Sequence, residues 1–365
     1  MVSTALFSLL VASMSAPAPA QAPAQTQVIE ERFKSGALRS KRHVRLDAKG
    51  NSVDHGVNET YYEKGQLASR YIYRKGERDG PWTEWYESGQ KKGEGTYAHG
   101  NKTGLETRYF ADGSKKQETN YRDDVKHGKS VTWHPGGQMS VEQDFDNGDA
   151  HGTKSRWYPD GTPQEVTKYV RGTKEGTSVS YYRTKHKSLE VAFKSGTKHG
   201  HYGEWYADGS PKADRTYIEG TLDGEFTEWH PDASLKAKGL YVDGHRDGEW
   251  QEWWSNESDH HLKIEATYEE GEMVGLYRSW YRNGQIQTFA EFTDGAKDGT
   301  VIEWYEGGNK KSECLYDNDV PTGQVMMWFE TGAPKSIVSF VMGHREGDAY
   351  EWNEEGDLTG SRKSH

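Results

Sequence analysis

Glycines stand at a fixed interval along this chain. From Gly56 they recur at Gly80, Gly104, Gly128, Gly152, Gly176, Gly200, Gly224 and Gly248, each step being 24 residues. One step of 27 leads to Gly275, and the 24-residue interval resumes at Gly299, Gly323 and Gly347. Thirteen anchors therefore open twelve full repeats and a partial one. A period in this range belongs to solenoids, propellers and linear arrays, in which one small unit is copied along the chain. It also argues against an enzyme, because copies leave little sequence for one unique constellation of groups.

With 32% hydrophobic residues and 42 glycines in 365 positions, the chain is polar enough for disorder. Its 13 Trp, 22 Tyr and 10 Phe oppose that reading, because they keep to fixed phases and predict a thin core of rings. With the anchor glycine as position zero, position 5 is aromatic in every repeat. It is Trp85, Trp133, Trp157, Trp205, Trp229, Trp253, Trp280, Trp304, Trp328 or Trp352, and otherwise Tyr61, Tyr109 or Tyr181. A second aromatic follows at position 17, as in Tyr97, Tyr217, Tyr241 and Phe292.

Between the two aromatics lies a turn such as Glu-Ser-Gly89, Ala-Asp-Gly209 or Arg-Asn-Gly284. Two β-rich runs flank it, so each repeat is expected to be a β-hairpin. Pro135, Pro159 and Pro231 sit two residues before the turn glycine slot, where a type I turn favours proline. The glycine is then left-handed, closing a three-residue loop with a bulge. This register places the position-5 Trp on one face with the small or apolar residues at positions 13, 15 and 17, such as Gly93, Gly95 and Tyr97. A one-residue slip would set the Trp among charges. The same register brings Glu84 to Lys92, Glu204 to Lys212, Glu228 to Lys236 and Glu303 to Lys311. The return connection is Gly-x-x-x-Gly, in which Asp124 and Asp319 replace the first glycine and take its left-handed conformation.

The pattern Tyr217-x-x-Gly220-x-x-x-Gly224-x-x-x-x-Trp229 resembles the MORN repeat. It is similar above all to the bacterial variant Gly-x-x-x-x-Trp-Tyr-x-x-Gly, as in Gly80 to Gly89, Gly152 to Gly161 and Gly299 to Gly308. The resemblance covers residues 56–356. It implies an all-β fold, an elongated, twisted, single-layer antiparallel sheet of about 12–13 tandem 24-residue hairpins. Similar proteins are tethers, scaffolds, membrane-associated organisers, dimerisation platforms or, in bacteria, antitoxins. This chain departs from the pattern at position 2, where Trp82, Tyr202, Phe226 and Trp250 alternate with Glu106, Lys154 and Ser178.

Residues 1–24 read as a secretory signal peptide. The apolar run Ala5 to Ser15 precedes an Ala-Pro stretch with several A-x-A sites, which places cleavage between Ala18 and Ala24. Residues 25–55 form a basic linker or degenerate cap, residues 56–356 the array, and residues 357–365 a tail. Cys314 is the single cysteine, so the chain has no internal disulfide, CxxC zinc site or lipobox. A secreted or periplasmic protein is expected, with no integral membrane segment in its mature form. The net charge of −11 argues against nucleic acid and anionic lipid as partners.

Protein partners are the first expectation, an envelope polysaccharide the second, and a toxin neutralised by an immunity-type protein the third. No catalytic, cofactor or metal residues are expected: neither G-x-S-x-G nor H-E-x-x-H nor a P-loop occurs. A carboxylate beside an aromatic, as at Glu84 or Glu204, is only a weak sign of glycoside chemistry. Candidate partner-binding residues are aromatic. Position 6 contributes Tyr86, Tyr158, Tyr206, Trp254, Tyr281 and Tyr305, whose amphipathic rings suit protein interfaces and stacking on sugars. Trp82 and Trp250 join them because most repeats lack a counterpart. The ninth repeat carries an insertion across residues 255–261, in which Asp259, His260 and His261 are read as loop residues rather than metal ligands.

Overall fold

The structure is a computed structural model and describes residues 26–255 and 261–362. The signal-peptide reading and the insertion residues Asp259 and His260 lie outside the described residues. The fold is all-β, an open antiparallel sheet of 31 strands with no helix among the described residues. It divides into two compact units, Met1–Lys115 with Tyr121–Val125, and Lys116–Asn120 with Lys126–His365. In the first unit the strands begin before the array, with Gln27–Arg32 pairing antiparallel to Leu38–Leu46. In the second they run on past it, Leu358–Arg362 pairing with His344–Trp352.

A hairpin of the second unit shows how the repeat is encoded. Strands Thr197–Trp205 and Pro211–Ile218 are joined through Tyr206 and Ser210, with a three-residue loop, 207–209, between those two. The Tyr206 N–H donates to the Ser210 carbonyl at 2.9 Å, and the Gly209 N–H to the Tyr206 carbonyl at 3.0 Å. Gly209 is left-handed (φ 94°), as the proline positions predict. The next connection has two residues, Glu219 (φ 49°) and Gly220 (φ 91°), and positive φ at both is the signature of a type I′ hairpin turn. Asp124 (φ 64°) and Asp319 (φ 62°) fill the second of these positions in other repeats, as expected.

The anchors themselves are explained by a bulge. The pairing of Pro211–Ile218 with Thr221–Trp229 shifts register between Arg215 and Tyr217, beside Gly224. Gly224 has φ 114° there, and every anchor from Gly56 to Gly347 has positive φ. A side chain would be strained at each of them, so the ruler of glycines is a ruler of bulges.

One expectation is corrected. Glu204 pairs with Ala213 and Trp205 with Pro211, leaving Lys212 as the extra residue of a second bulge. The position-4 glutamate, not the position-5 Trp, therefore shares a face with positions 13, 15 and 17. The slip that the sequence reading rejected is the register adopted, and the tryptophans do stand among charges. Lys187 Nζ lies 5.5 Å from the Trp205 ring centre, and the Tyr109 hydroxyl donates to Glu94 at 2.5 Å. Three of the four expected ion pairs form, because a bulge residue stays on its partner's side. The fourth does not, Glu84 pairing with Arg108 at 2.7 Å rather than with Lys92. Lys212–Glu204 is 3.1 Å, Lys236–Glu228 3.0 Å and Lys311–Glu303 3.3 Å. Being exposed, such pairs contribute only about 0–1 kcal/mol each.

Candidate interaction surface

The two faces of the sheet differ in what they bury. On one face, positions 2 and 15 of successive strands form a continuous row. In the second unit it runs through Val191, Tyr202, Arg215, Phe226, Gly239, Trp250 and Ala266. Trp250 is 2% exposed and packs on Phe226 and Tyr241 at ring distances of 5.2 and 5.6 Å. In the first unit Trp82 is also 2% exposed, stacked on Tyr71 at 5.8 Å. Space for each indole comes from a glycine on the adjoining strand, Gly239 under Trp250 and Gly95 under Trp82. Both tryptophans were candidates for partner contact, and the structure places them inside the row.

A ladder of cations runs beside that row. Two residues before the anchor, Lys102, Lys126, Lys174, Lys198 and Lys297 lie 4.8–5.3 Å from the rings of Tyr121, Phe145, Phe193, Tyr217 and Tyr316. Arg246 repeats the arrangement, 3.9 Å from the Trp250 ring and 5.4 Å from that of Tyr268. Cation–π pairs of this kind contribute about 0.5–1 kcal/mol at exposed sites. These pairs lie outside the expectations drawn from the sequence. The signal was there, a Lys or Arg at the same phase in repeat after repeat.

The position-6 residues clasp the next repeat. Tyr86, Tyr158, Tyr206, Tyr281 and Tyr305 donate their hydroxyls to the carbonyls of Tyr109, Tyr181, Trp229, Trp304 and Trp328, at 2.8–3.0 Å. The Trp254 indole N–H does the same to the Trp280 carbonyl at 3.0 Å. On the opposite edge the Gly220 N–H donates to the Lys198 carbonyl of the preceding repeat at 2.9 Å. Hairpin is thus tied to hairpin at both ends. All six position-6 candidates have a polar partner within the array, and none was placed there by the sequence reading.

The glutamates beside the rings are held ionised. Burial works to raise the Glu84 carboxyl, but the Tyr71 hydroxyl at 2.6 Å and Arg108 at 2.7 Å outweigh it. Glu204 is likewise lowered against its burial, by the Tyr202 hydroxyl and Lys212. A general acid needs the opposite shift.

The other face carries the position-5 rings, each half-buried, ten of them indoles and three the phenols of Tyr61, Tyr109 and Tyr181. In the second unit Ile218, Val242 and Val341 at position 18 share this face and are 47%, 44% and 50% exposed. Leu276 and Leu315 on the same face are also exposed. The large exposed side chains therefore gather on the indole side.

The family model described as the MORN repeat variant matches residues 54–75, 78–99, 102–123, 273–288 and 297–318. Each match keeps the same phase relative to an anchor glycine. No curated protein matches the chain. Among solved structures, the crystal structure of TcdB2-TccC3 matches at 10% identity and a TM-score of 0.18, over 92% of this chain and 21% of that one. A Photorhabdus luminescens Tc holotoxin pore matches at 12% identity and a TM-score of 0.18, over 93% and 18%. The chain spans about a fifth of the length of these structures. The repeat matches, the anchor bulges and the tandem hairpins agree: the chain is a MORN-repeat protein.

Proposed function

We propose that this chain is a non-enzymatic scaffold, exported from the cytoplasm, that holds protein partners along its indole face. One observation carries the reading. The half-buried indoles and the exposed Ile218, Val242 and Val341 lie on one face, interleaved with charged side chains. A series of aromatic and apolar side chains set among charges is the composition of an interaction surface. The opposite face has its large rings packed into the row described above and its cations paired with rings. Contacts of modest strength, repeated at each hairpin, add through avidity.

The test is capture of envelope and secreted proteins on the purified mature chain, compared with the triple variant Ile218→Asp, Val242→Asp and Val341→Asp. The expected result is loss of the captured proteins with an unchanged melting temperature. Capture unaffected by the variant would refute the assignment of this face. Retention on envelope polysaccharide instead of protein would favour the glycan reading.

A further inference from the structure

In the repeat opened by Gly104, a carboxylate stands between two cations. Glu106, at position 2, is 2.6 Å from Lys102 Nζ and 2.7 Å from Arg108 Nε. Two repeats later the same positions hold Ala150, Lys154 and Arg156. The acid has become a lysine, and the small Ala150 takes the place of a long cation. A cavity of about 400 Å³ opens there, walled by Phe145 and Tyr169 and lined by Lys126, Lys154, Arg156 and the buried Gln143.

The charged side chains that line it are all cationic. No carboxylate lines the cavity among the described residues. Outside the lining, Glu165 pairs with Arg156 at a long 3.6 Å and also accepts the Thr167 hydroxyl at 3.1 Å. Lys126 and Lys154 contact rings instead, 4.9 Å from Phe145 and 5.9 Å from Tyr169. Burial pushes Lys154 below the ordinary lysine value, with Arg156 and Lys174 pushing the same way and the Glu165 carboxylate only partly opposing them. Three cations thus share one recess in a chain of net charge −11. Partly desolvated like charges are costly unless a counter-charge joins them.

We infer that this cavity is an anion site that takes the carboxylate or phosphate of a sugar-sized ligand. The oxyanion occupies the place that Glu106 fills in the earlier repeat, bridging Lys154 and Arg156, and the body of the ligand lies between Phe145 and Tyr169. The site is on the face opposite the indoles and does not depend on the scaffold reading.

Titration calorimetry on the mature chain tests it with galacturonate, glucose 6-phosphate, inorganic phosphate and glucose. Saturable one-to-one binding is expected for at least one acidic sugar, none for glucose, and a weaker response to inorganic phosphate. Binding by only one acidic sugar identifies the group recognised and supports the site. Lys154→Met is expected to weaken binding at least about tenfold, the loss of a charge-assisted hydrogen bond. Lys154→Glu rebuilds the arrangement around Glu106 and is expected to abolish binding while the melting temperature holds or rises. The inference is overturned if neither acidic sugar binds, if glucose binds equally well, or if both Lys154 variants bind like the parent.

Discussion

The Trp250 indole lies directly against Gly239, so closely that a Cβ on the glycine would stand 2.0 Å from a ring carbon. Large ring and missing side chain are complements, one on each of two adjoining strands. Gly239→Ala is therefore expected to cost about 1–3 kcal/mol, the usual penalty for overpacking a fitted site. Urea unfolding measures it. Combining Gly239→Ala with Trp250→Ala should cost less than the sum of the two single changes, since contacting residues couple. Additive losses would mean that the pair does not pack as described.

The position-6 clasp predicts small, distributed losses. Tyr206→Phe and Tyr281→Phe each remove one hydroxyl-to-carbonyl bond between repeats, and about 0.5–1.5 kcal/mol is expected for each. In a repeat array the loss falls on one inter-repeat interface, so hydrogen exchange should quicken locally around Trp229 or Trp304. If these tyrosines serve partners instead, the variants will weaken capture and leave exchange unchanged.

Stability should fall at both ends of the pH range. The Glu84 and Glu204 carboxyls are lowered from 4.5 in the folded chain. Their contribution is complete above that value and is lost as pH falls through the lower folded values. Glu84→Gln should flatten the acid limb of a stability-against-pH curve. At the alkaline end, the hydrogen bond to Glu59 raises Tyr61 from 10.0 to about 12. The unfolded phenol ionises first, so stability declines between those two values, and Tyr61→Phe should reduce the decline. A curve unchanged by either substitution would contradict these pairings.

Export makes a covalent prediction. If residues 1–24 direct secretion, the mature chain recovered from the periplasm or medium begins between residues 19 and 25, after cleavage at an A-x-A site. Intact-mass measurement reads this directly. Recovery of the whole chain from the cytoplasm alone would remove the extracytoplasmic part of the proposal.

Much of the architecture was legible because local chemistry dictates it. Pro135, Pro159 and Pro231 identify the three-residue loop, and Asp124 and Asp319 identify left-handed turn positions. The Glu–Lys spacing identifies three ion pairs. The face assignment failed because the bulge at Lys212 carries no marker: a lysine there looks like any strand residue. Positive φ at Glu219 and Met342 was equally hidden, since the I′ turn is imposed by its partner glycine and by strand twist. The position-6 tyrosines read as an exposed aromatic series because only three dimensions bring each hydroxyl to the next repeat's carbonyl. The gap at Ala150 was invisible for a similar reason. It is defined by what neighbouring strands lack rather than by any motif.

Hydroxyl-radical footprinting, resolved to single tryptophans, tests the assignment of the two faces most directly. Trp82 and Trp250 should be protected in the folded chain, and Trp205, Trp229, Trp304 and Trp328 should be oxidised at clearly higher rates. Equal reactivity across both sets, or protection of the position-5 indoles with oxidation of Trp82 and Trp250, would contradict the account.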